Sequence, residues 1–232
     1  MRLLHPEPAR EASVDELYRS PDRPLPDAVG GRPWIVSSII TTIDGAVALN
    51  GTSGALGSDG DRAVFSALRS MADVVLVGAG TVTAERYRPP RRPDQRIAVV
   101  TRRADVSGYR ELMDSGRAVL VTTMSSPESG YESIRAGVDE VDLTEAVRLL
   151  SERYGARWIG CEGGPSLNAA MIEADLVDEY CWTIAPMLLG HGEPASASTN
   201  VAATAHMTGR SMRLAHLAEQ DGYLFARYLR SR

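Results

Sequence analysis

Apolar, β-branched stretches alternate with stretches of helical periodicity over the first three-quarters of the chain. Trp34–Thr42 (WIVSSIITT) is β-branched almost throughout, which predicts a strand buried on both faces. Similar apolar runs predict further short strands, over residues 73–77, 97–101, 118–122, 138–142 and 158–161. The alternation of these strands with helical segments predicts a parallel sheet.

Helical segments lie between these strands. The clearest begins after Ser58, which with Asp61 forms a capping box, and it carries apolar residues at helical spacing, namely Val64, Phe65, Leu68 and Met71. Further helices are predicted over residues 127–136 and 144–154, as a short turn ending at Glu85, and from Pro165 onward.

The pattern changes after residue 176, where only strands are predicted. These cover residues 177–186, 213–218 and 223–229, and a glycine-containing loop spans 189–205. Asp221-Gly222 is a hairpin signal between the last two strands. The predicted fold is therefore α/β, with a mostly parallel central sheet, helices on both faces and an antiparallel C-terminal hairpin.

The first 33 residues are rich in proline and charge. Ser13 and Glu16 form a second capping box, so one short helix is predicted over residues 13–19. We interpret residues 1–33 as an arm packed on the domain formed by residues 34–232, with a partner-binding tail as the alternative.

Composition restricts the functional classes. The 232 residues are 44% hydrophobic with a net charge of −5, which is unlike a general nucleic-acid binder. The two cysteines lie in apolar runs and the histidines show no ligand spacing, so neither a disulfide framework nor a metal site is expected. Without an apolar run of transmembrane length or a signal peptide, we expect a cytoplasmic protein with no membrane partner.

Three features follow predicted strands and therefore gather at the sheet edge where ligands of α/β proteins bind. They are residues 78–81 (GAGT), Arg102-Arg103 and residues 162–166 (EGGPS). Glycine turns before helices suit phosphates, and an arginine suits a 2′-phosphate. The dinucleotide fingerprint is incomplete, because Thr83 stands where its third glycine belongs.

The sequence contains no nucleophile-and-base motif. This absence fits hydride transfer, because a cofactor carries the chemistry of that reaction. Asp44 and Glu162 are the candidate catalytic carboxylates. Asp44 has the alternative role of a turn former before Gly45, and Glu162 that of a partner for a helix dipole.

Four sequence runs occur in one order: TIDG at residues 42–45, VGAGTV at 77–82, EGGPSLN at 162–168, and LVDE at 176–179 followed by IAP and LG. Together they resemble the reductase domain of the riboflavin-biosynthesis deaminase/reductase family, which is similar in fold to dihydrofolate reductase. The resemblance covers residues 34–230 and implies a stand-alone reductase, because the deaminase half is missing.

The resemblance implies an NADPH-dependent reduction of the ribosyl group of an aminopyrimidine ribosylamine 5′-phosphate to ribityl, with hydride transfer to C1′. It implies substrate contacts at Ser38, Ser53, Arg69 and Glu162. Together with the glycine turns and the arginine described above, it implies cofactor contacts at Thr42, Gly78, Gly80, Thr81, Glu85, Arg102, Gly163, Gly164, Pro165, Ser166 and Leu167. It also implies a homodimer.

The chain departs from the family pattern at two places. Ser38 stands where many members have Lys or Asn, and Arg86-Tyr87 follow Glu85 where an acid and a proline are usual. Two alternatives therefore remain open. One is a reductase of another pterin- or folate-like substrate, and the other is a non-catalytic nucleotide-binding protein.

Overall fold

The computed structural model describes residues 1–19, 31–190 and 211–231, and its described strands form one sheet. The strands are β1 (Arg2–His5), β2 (Arg10–Glu11), β3 (Trp34–Thr42), β4 (Val74–Gly78), β5 (Arg96–Val100), β6 (Ala118–Thr122), β7 (Ser133–Arg135), β8 (Trp158–Cys161), β9 (Glu179–Ala185), β10 (Met212–Gln220) and β11 (Tyr223–Arg230). The helices are α1 (Val14–Tyr18), α2 (Asp59–Met71), α3 (Ala79–Ala84), α4 (Arg110–Asp114), α5 (Leu143–Tyr154) and α6 (Pro165–Glu173).

The strand order is β2-β1-β10-β11-β9-β3-β8-β4-β5-β6-β7. Strands β9 to β7 in this order are mutually parallel, whereas β11, β10, β1 and β2 add antiparallel pairs. The predicted α/β fold with an antiparallel C-terminal hairpin is confirmed. Most of the predicted loop over residues 189–205 lies outside the described residues.

Helices cover both faces of the sheet, as predicted. Side chains of α5 and α6, such as Leu150 and Met171, pack in one core with Ile35 of β3 and Leu76 of β4. On the opposite face α2 packs against β3, and α3 and α4 lie over β4 and β5. The side chains of β3 alternate between the faces, and this alternation decides which residues meet the site.

The N-terminal residues extend the sheet and cover part of α2. β1 pairs with β10, and Tyr18 of α1 is buried in the core that contains Leu68 of α2. Ser13 caps α1 through the N–H of Glu16, as the capping-box pattern predicts. Residues 20–30 of the proposed arm lie outside the described residues, whereas residues 31–33 are described.

Two local predictions were wrong. Residues 127–136 do not form a helix, because their end is β7, which pairs with β6 and buries Ile134. The guanidinium of Arg135 donates to the carbonyls of Thr123 and Ser126, both at 2.8 Å, and holds this segment extended. Residues 138–142 do not form a strand, since Asp142 caps α5 by accepting from the N–H of Glu145.

No helix among the described residues is long and apolar enough to cross a membrane.

Candidate active site

The two glycine turns lie side by side at the carboxyl ends of β4 and β8. The N–H of Gly78 donates to the carbonyl of Gly163 at 2.8 Å, and the N–H of Gly164 donates to Thr81 Oγ1 at 2.9 Å. The peptide bond between Gly163 and Gly164 is cis. Because β4 and β8 are parallel neighbours, the sheet itself brings these two distant sequence runs together.

The start of α6 presents bare backbone. Gly164 is its N-cap, Pro165 stands in its first turn, and no described side chain caps the helix. Gly163 has φ +71°, and a Cβ added to Gly164 would lie 2.7 Å from Thr81 Oγ1. Glycine is therefore required at Gly164 for space, and the uncapped amides at a helix N-terminus suit a phosphate group.

Glu162 connects β8 to this turn and lies within an ion pair. Its N–H donates to the carbonyl of Leu76, which fixes the backbone at the strand end. Its carboxylate is 5% exposed and faces Arg69 of α2, which donates from Nε to Oε1 at 2.8 Å and from Nη2 to Oε2. The hydroxyl of Tyr87 donates to Oε2 at 2.6 Å.

Arg69 is held between two aromatic rings. Its guanidinium carbon lies 4.7 Å from the ring centroid of Phe65 and 4.8 Å from that of Tyr87. Burial disfavours the charged guanidinium, but hydrogen bonds and charge from Glu162 keep the pKa of Arg69 above its ordinary value. Arg69 is therefore a fixed cation of the site and not a solvated helix residue.

A cavity lies between α2 and the strands β3 and β8. Its walls include Ser38, Phe65, Arg69, Trp158 and Glu162, and it is a small cavity of about 20 Å³ that opens to solvent. The carboxylate and guanidinium give one end of this cavity strong hydrogen-bonding groups, whereas the rings give it apolar walls. Apolar walls with a few well-placed polar groups are the usual lining of small-molecule sites.

Ser53 and Glu85 contact each other, although the sequence assigns one to substrate and the other to cofactor. The N–H and hydroxyl of Ser53 donate to Glu85 Oε1 at 2.6 and 2.9 Å. Glu85 follows α3 directly, so this contact ties the loop after β3 to the helix that begins at the first glycine turn.

Asp44 joins the turn after β3 to the segment after β9. Its carboxylate accepts from Thr42 Oγ1 at 2.5 Å and from the N–H groups of Leu189 and Gly190. These bonds, first that from Thr42 and then that from Gly190, keep the pKa of Asp44 below its ordinary value. Within the described residues, the hydrogen bonds found for Asp44 go to this turn and not to Glu162.

Arg102 lies just beyond the end of β5 on the surface. Its Nη1 donates to Glu140 Oε1 at 2.6 Å, and both side chains are largely exposed. An exposed pair of this kind is weak, so a ligand phosphate can replace the carboxylate of Glu140.

Besides the contact between Ser53 and Glu85, the structure gathers the predicted residues into three groups. Gly78, Thr81, Gly163 and Gly164 form the paired turns, with Pro165, Ser166 and Leu167 opening α6 and Gly80 in α3. Arg69, Glu162 and Ser38 share the cavity, and Thr42 and Asp44 lie in the turn beyond β3. Arg102 is apart from all three.

Sequence reasoning missed Tyr87 as a site residue. The available signal was its place two residues after Glu85, where the family pattern has a proline. Its approach to Glu162 depends on a backbone turn at Arg86, which has φ +51°. The hydrophobic periodicity of the sequence gives no sign of such a turn. Phe65 was predicted only as core, yet its ring also supports Arg69.

The chain is similar to several known proteins. Over 177 residues the chain is 29% identical to the 2,5-diamino-6-ribosylamino-4(3H)-pyrimidinone 5′-phosphate reductase of Methanothermobacter thermautotrophicus, covering 68% of this chain and 80% of that one. It is 30% identical over 169 residues to the riboflavin biosynthesis protein RibD of Mycobacterium tuberculosis, covering 69% of this chain but 44% of that protein.

Among solved structures, the fold is similar to that of a pyrimidine reductase-like protein from Corynebacterium diphtheriae. The TM-score is 0.78 at 22% identity, with 95% of this chain and all of that one covered. The family model described as the RibD C-terminal domain matches residues 33–220. The chain therefore belongs to the RibD C-terminal domain family.

Proposed function

We propose that this protein is an NADPH-dependent reductase of riboflavin biosynthesis. It reduces the ribosyl group of an aminopyrimidine ribosylamine 5′-phosphate, of the 5-amino-6-(5-phosphoribosylamino)uracil type, to ribityl. The observation that carries the proposal is that the uncapped glycine turn before α6 follows directly on Glu162 and the cavity with Arg69. Family membership and the reductase name of the archaeal relative support it.

The residues present fit NADPH. Gly164, which lies against Thr81 without a Cβ, and the uncapped amides at the start of α6 suit a diphosphate. Arg102 is the candidate for the 2′-phosphate, in exchange for Glu140. When bound, NADPH supplies the hydride, and the protein supplies orientation and electrostatics.

Glu162 and Arg69 orient the substrate in this proposal. The carboxylate accepts hydrogen bonds from donor groups of the substrate, and Arg69 fixes the carboxylate from α2. Hydride adds to C1′ of the ring-opened imine, while the imine nitrogen gains one proton. The product therefore differs from the substrate by two hydrogens.

The test is incubation of the protein with the ribosylaminopyrimidine phosphate and NADPH. The nicotinamide absorbance should fall, and mass spectrometry should find a product heavier by two hydrogens. With NADPH deuterated at the transferred position, one deuterium should lie on C1′. If an established reductase turns over the same substrate while this protein does not, the proposal is wrong.

A reductase of a pterin- or folate-like substrate is the second candidate. One observation favours it: Nε and Nη2 of Arg69 already hold Glu162, which leaves this guanidinium less suited to a substrate phosphate. Dihydrofolate in the same assay, at high enzyme concentration, decides between the two substrates. If NADPH binds in a calorimeter and neither substrate reacts, a non-catalytic nucleotide-binding protein is favoured instead.

We also propose that the protein is a cytoplasmic homodimer. Cys161 and Cys181 are both buried and neither forms a disulfide, which suits a reducing compartment. The terminal strands β2 and β7 of the described sheet offer edges on which a second copy can pair. Light scattering of the purified protein should give twice the mass of one chain.

A further inference from the structure

Tyr87 contacts both members of the charged pair at the active site. Its hydroxyl lies 2.6 Å from Glu162 Oε2, and its ring covers Arg69 at 4.8 Å. We propose that Tyr87 is a positioning residue that fixes the Glu162–Arg69 pair in the geometry that the substrate meets. The consequence for turnover rests on the proposed function, whereas the effect on the pair does not.

The backbone delivers Tyr87 to this place through a fixed turn. α3 ends at Ala84, and Glu85 is anchored by the N–H and hydroxyl of Ser53. Arg86 has φ +51°, a conformation that non-glycine residues rarely adopt, and the N–H of Tyr87 then bonds the carbonyl of Val82 at 3.0 Å. A left-handed residue at this turn reverses the chain, so the phenol points back toward β8. A residue keeps such a rare backbone conformation only when the contacts around it hold it there.

The contact with Tyr87 restricts the movement of the Glu162–Arg69 pair. An arginine and a carboxylate joined at two points can still tilt together on their flexible side chains. Tyr87 adds a donor to Glu162 from a different element, and its ring packs on Arg69 in addition to that of Phe65. Catalytic geometry is sensitive to displacements of this size, so a third point of attachment favours turnover.

The groups that face Glu162 are few within the described residues. They are Arg69 from α2, Tyr87 from the segment after α3, and the thiol of Cys161 in β8. Burial raises the pKa of Cys161 to about 11, so its thiol stays neutral. Burial and the charge of Glu162 raise the pKa of Tyr87 well above its ordinary value, so the phenol stays a donor; Glu85 lies near it and acts in the same direction.

Tyr87→Phe removes the hydroxyl and keeps the ring. The hydrogen bond to a charged acceptor is worth about tenfold in binding or rate at the lower end of its range, so kcat/KM should fall about tenfold. NADPH affinity should not change.

Tyr154→Phe is the matched control. Tyr154 also donates its hydroxyl to a carboxylate, that of Glu132 at 2.8 Å, and its ring also lies near an arginine, but at the end of α5. This variant should keep the wild-type kcat/KM and the wild-type affinity for NADPH. Melting curves of both variants confirm that they fold.

A second measurement needs no substrate. The Nε–H of Arg69 bonds Glu162 and should give a slowly exchanging NMR resonance, assigned by its loss in Arg69→Lys. Its exchange with solvent should be faster in Tyr87→Phe and unchanged in Tyr154→Phe. Unchanged exchange in Tyr87→Phe overturns the proposal, as does an unchanged kcat/KM in a protein that reduces the pyrimidine. Faster exchange in a protein that reduces no pyrimidine leaves Tyr87 as the positioning residue and rejects the proposed function alone.

Discussion

The N–H of Gly164 donates to the hydroxyl oxygen of Thr81 at 2.9 Å, and this bond joins the two glycine turns of the active site. A Cβ on Gly164 would lie 2.7 Å from that oxygen, so Gly164→Ala must push the Thr81 side chain away. We expect NADPH affinity to fall by at least about tenfold and the free energy of unfolding by about 1–3 kcal/mol. Calorimetry and urea denaturation measure the two effects.

Gly54→Ala serves as the control for this change. No atom of the described residues lies within 4 Å of a Cβ placed there, and its φ is not in the left-handed region. Both NADPH affinity and stability should stay near the wild-type values. Equal losses in the two variants would show that the contact between Gly164 and Thr81 has no special importance.

Glu162→Gln removes the charge of the carboxylate and keeps its shape. We expect turnover, or substrate affinity, to fall by about tenfold or more, because the variant weakens both the site and its bond to Arg69. NADPH affinity should be nearly unchanged, since the backbone bond from the N–H of Glu162 to Leu76 remains. Steady-state kinetics and NADPH titration measure the two effects.

Glu152→Gln is a suitable control for that experiment, because Glu152 pairs with Arg148 on the exposed face of α5. It should leave both quantities unchanged. If Glu162→Gln reduced NADPH affinity as strongly as substrate affinity, Glu162 would only shape the glycine turn.

The parts of the fold that local patterns determine were predictable. β3 occupies Trp34–Thr42 as predicted, because its β-branched run has one suitable conformation, and Ser58 caps α2 through its own side chain. β7 was not predictable, since distant carbonyls that bond Arg135 keep it extended. Its short sequence shows none of these contacts.

The candidate site, too, could be predicted from the sequence only in part. Glu162 stands out in the sequence by its motif and Arg69 only through the family resemblance. Their mutual bond joins residues 93 positions apart and needs the packing of α2 on β8. Gly160 permits that packing, because a Cβ there would meet Ala72 at 3.3 Å. Tyr87 reaches the site only through the turn at Arg86, so its role required the structure.

Asp44→Asn distinguishes a structural carboxylate from a catalytic one. The pKa of Asp44 is lowered in the folded protein, so its contribution to stability is present above the unfolded pKa of about 4 and is lost as pH falls through the folded pKa. The variant should therefore melt at a lower temperature than wild type near neutral pH, and the difference should shrink in acid. We expect kcat to be retained.

Melting curves across this pH range, together with kcat at neutral pH, check the prediction. Asp59→Asn, at an exposed surface pair with Arg62, controls for a general change in charge. A large loss of kcat with an unchanged melting temperature would identify Asp44 as a catalytic carboxylate instead.

Arg102→Ala should narrow the preference for NADPH over NADH. A charged contact to a 2′-phosphate is worth about tenfold, and NADH lacks this phosphate, so only the affinity for NADPH should fall. Glu140→Gln should act in the opposite direction, because it removes the carboxylate that competes for Arg102. The ratio of kcat/KM for the two cofactors is the measurement. An unchanged ratio in Arg102→Ala would reject the assignment, and Arg103 would be tested next.

Arg32→Met tests the buried ion pair between Arg32 and Asp178, which joins β3 to the start of β9. Asp178 is fully buried at the start of β9, where its carboxylate accepts from Arg32 Nη1 and Nη2, both at 2.6 Å, and from the N–H of Ile35 in β3. Loss of the guanidinium leaves the carboxylate with the backbone bond, and breaking a buried pair in this way costs about 3–5 kcal/mol. Urea denaturation should show this loss. Arg62→Met, which breaks an exposed pair, should change stability by less than about 1 kcal/mol. Similar small losses in both variants would mean that Arg32 does not hold β3 against β9.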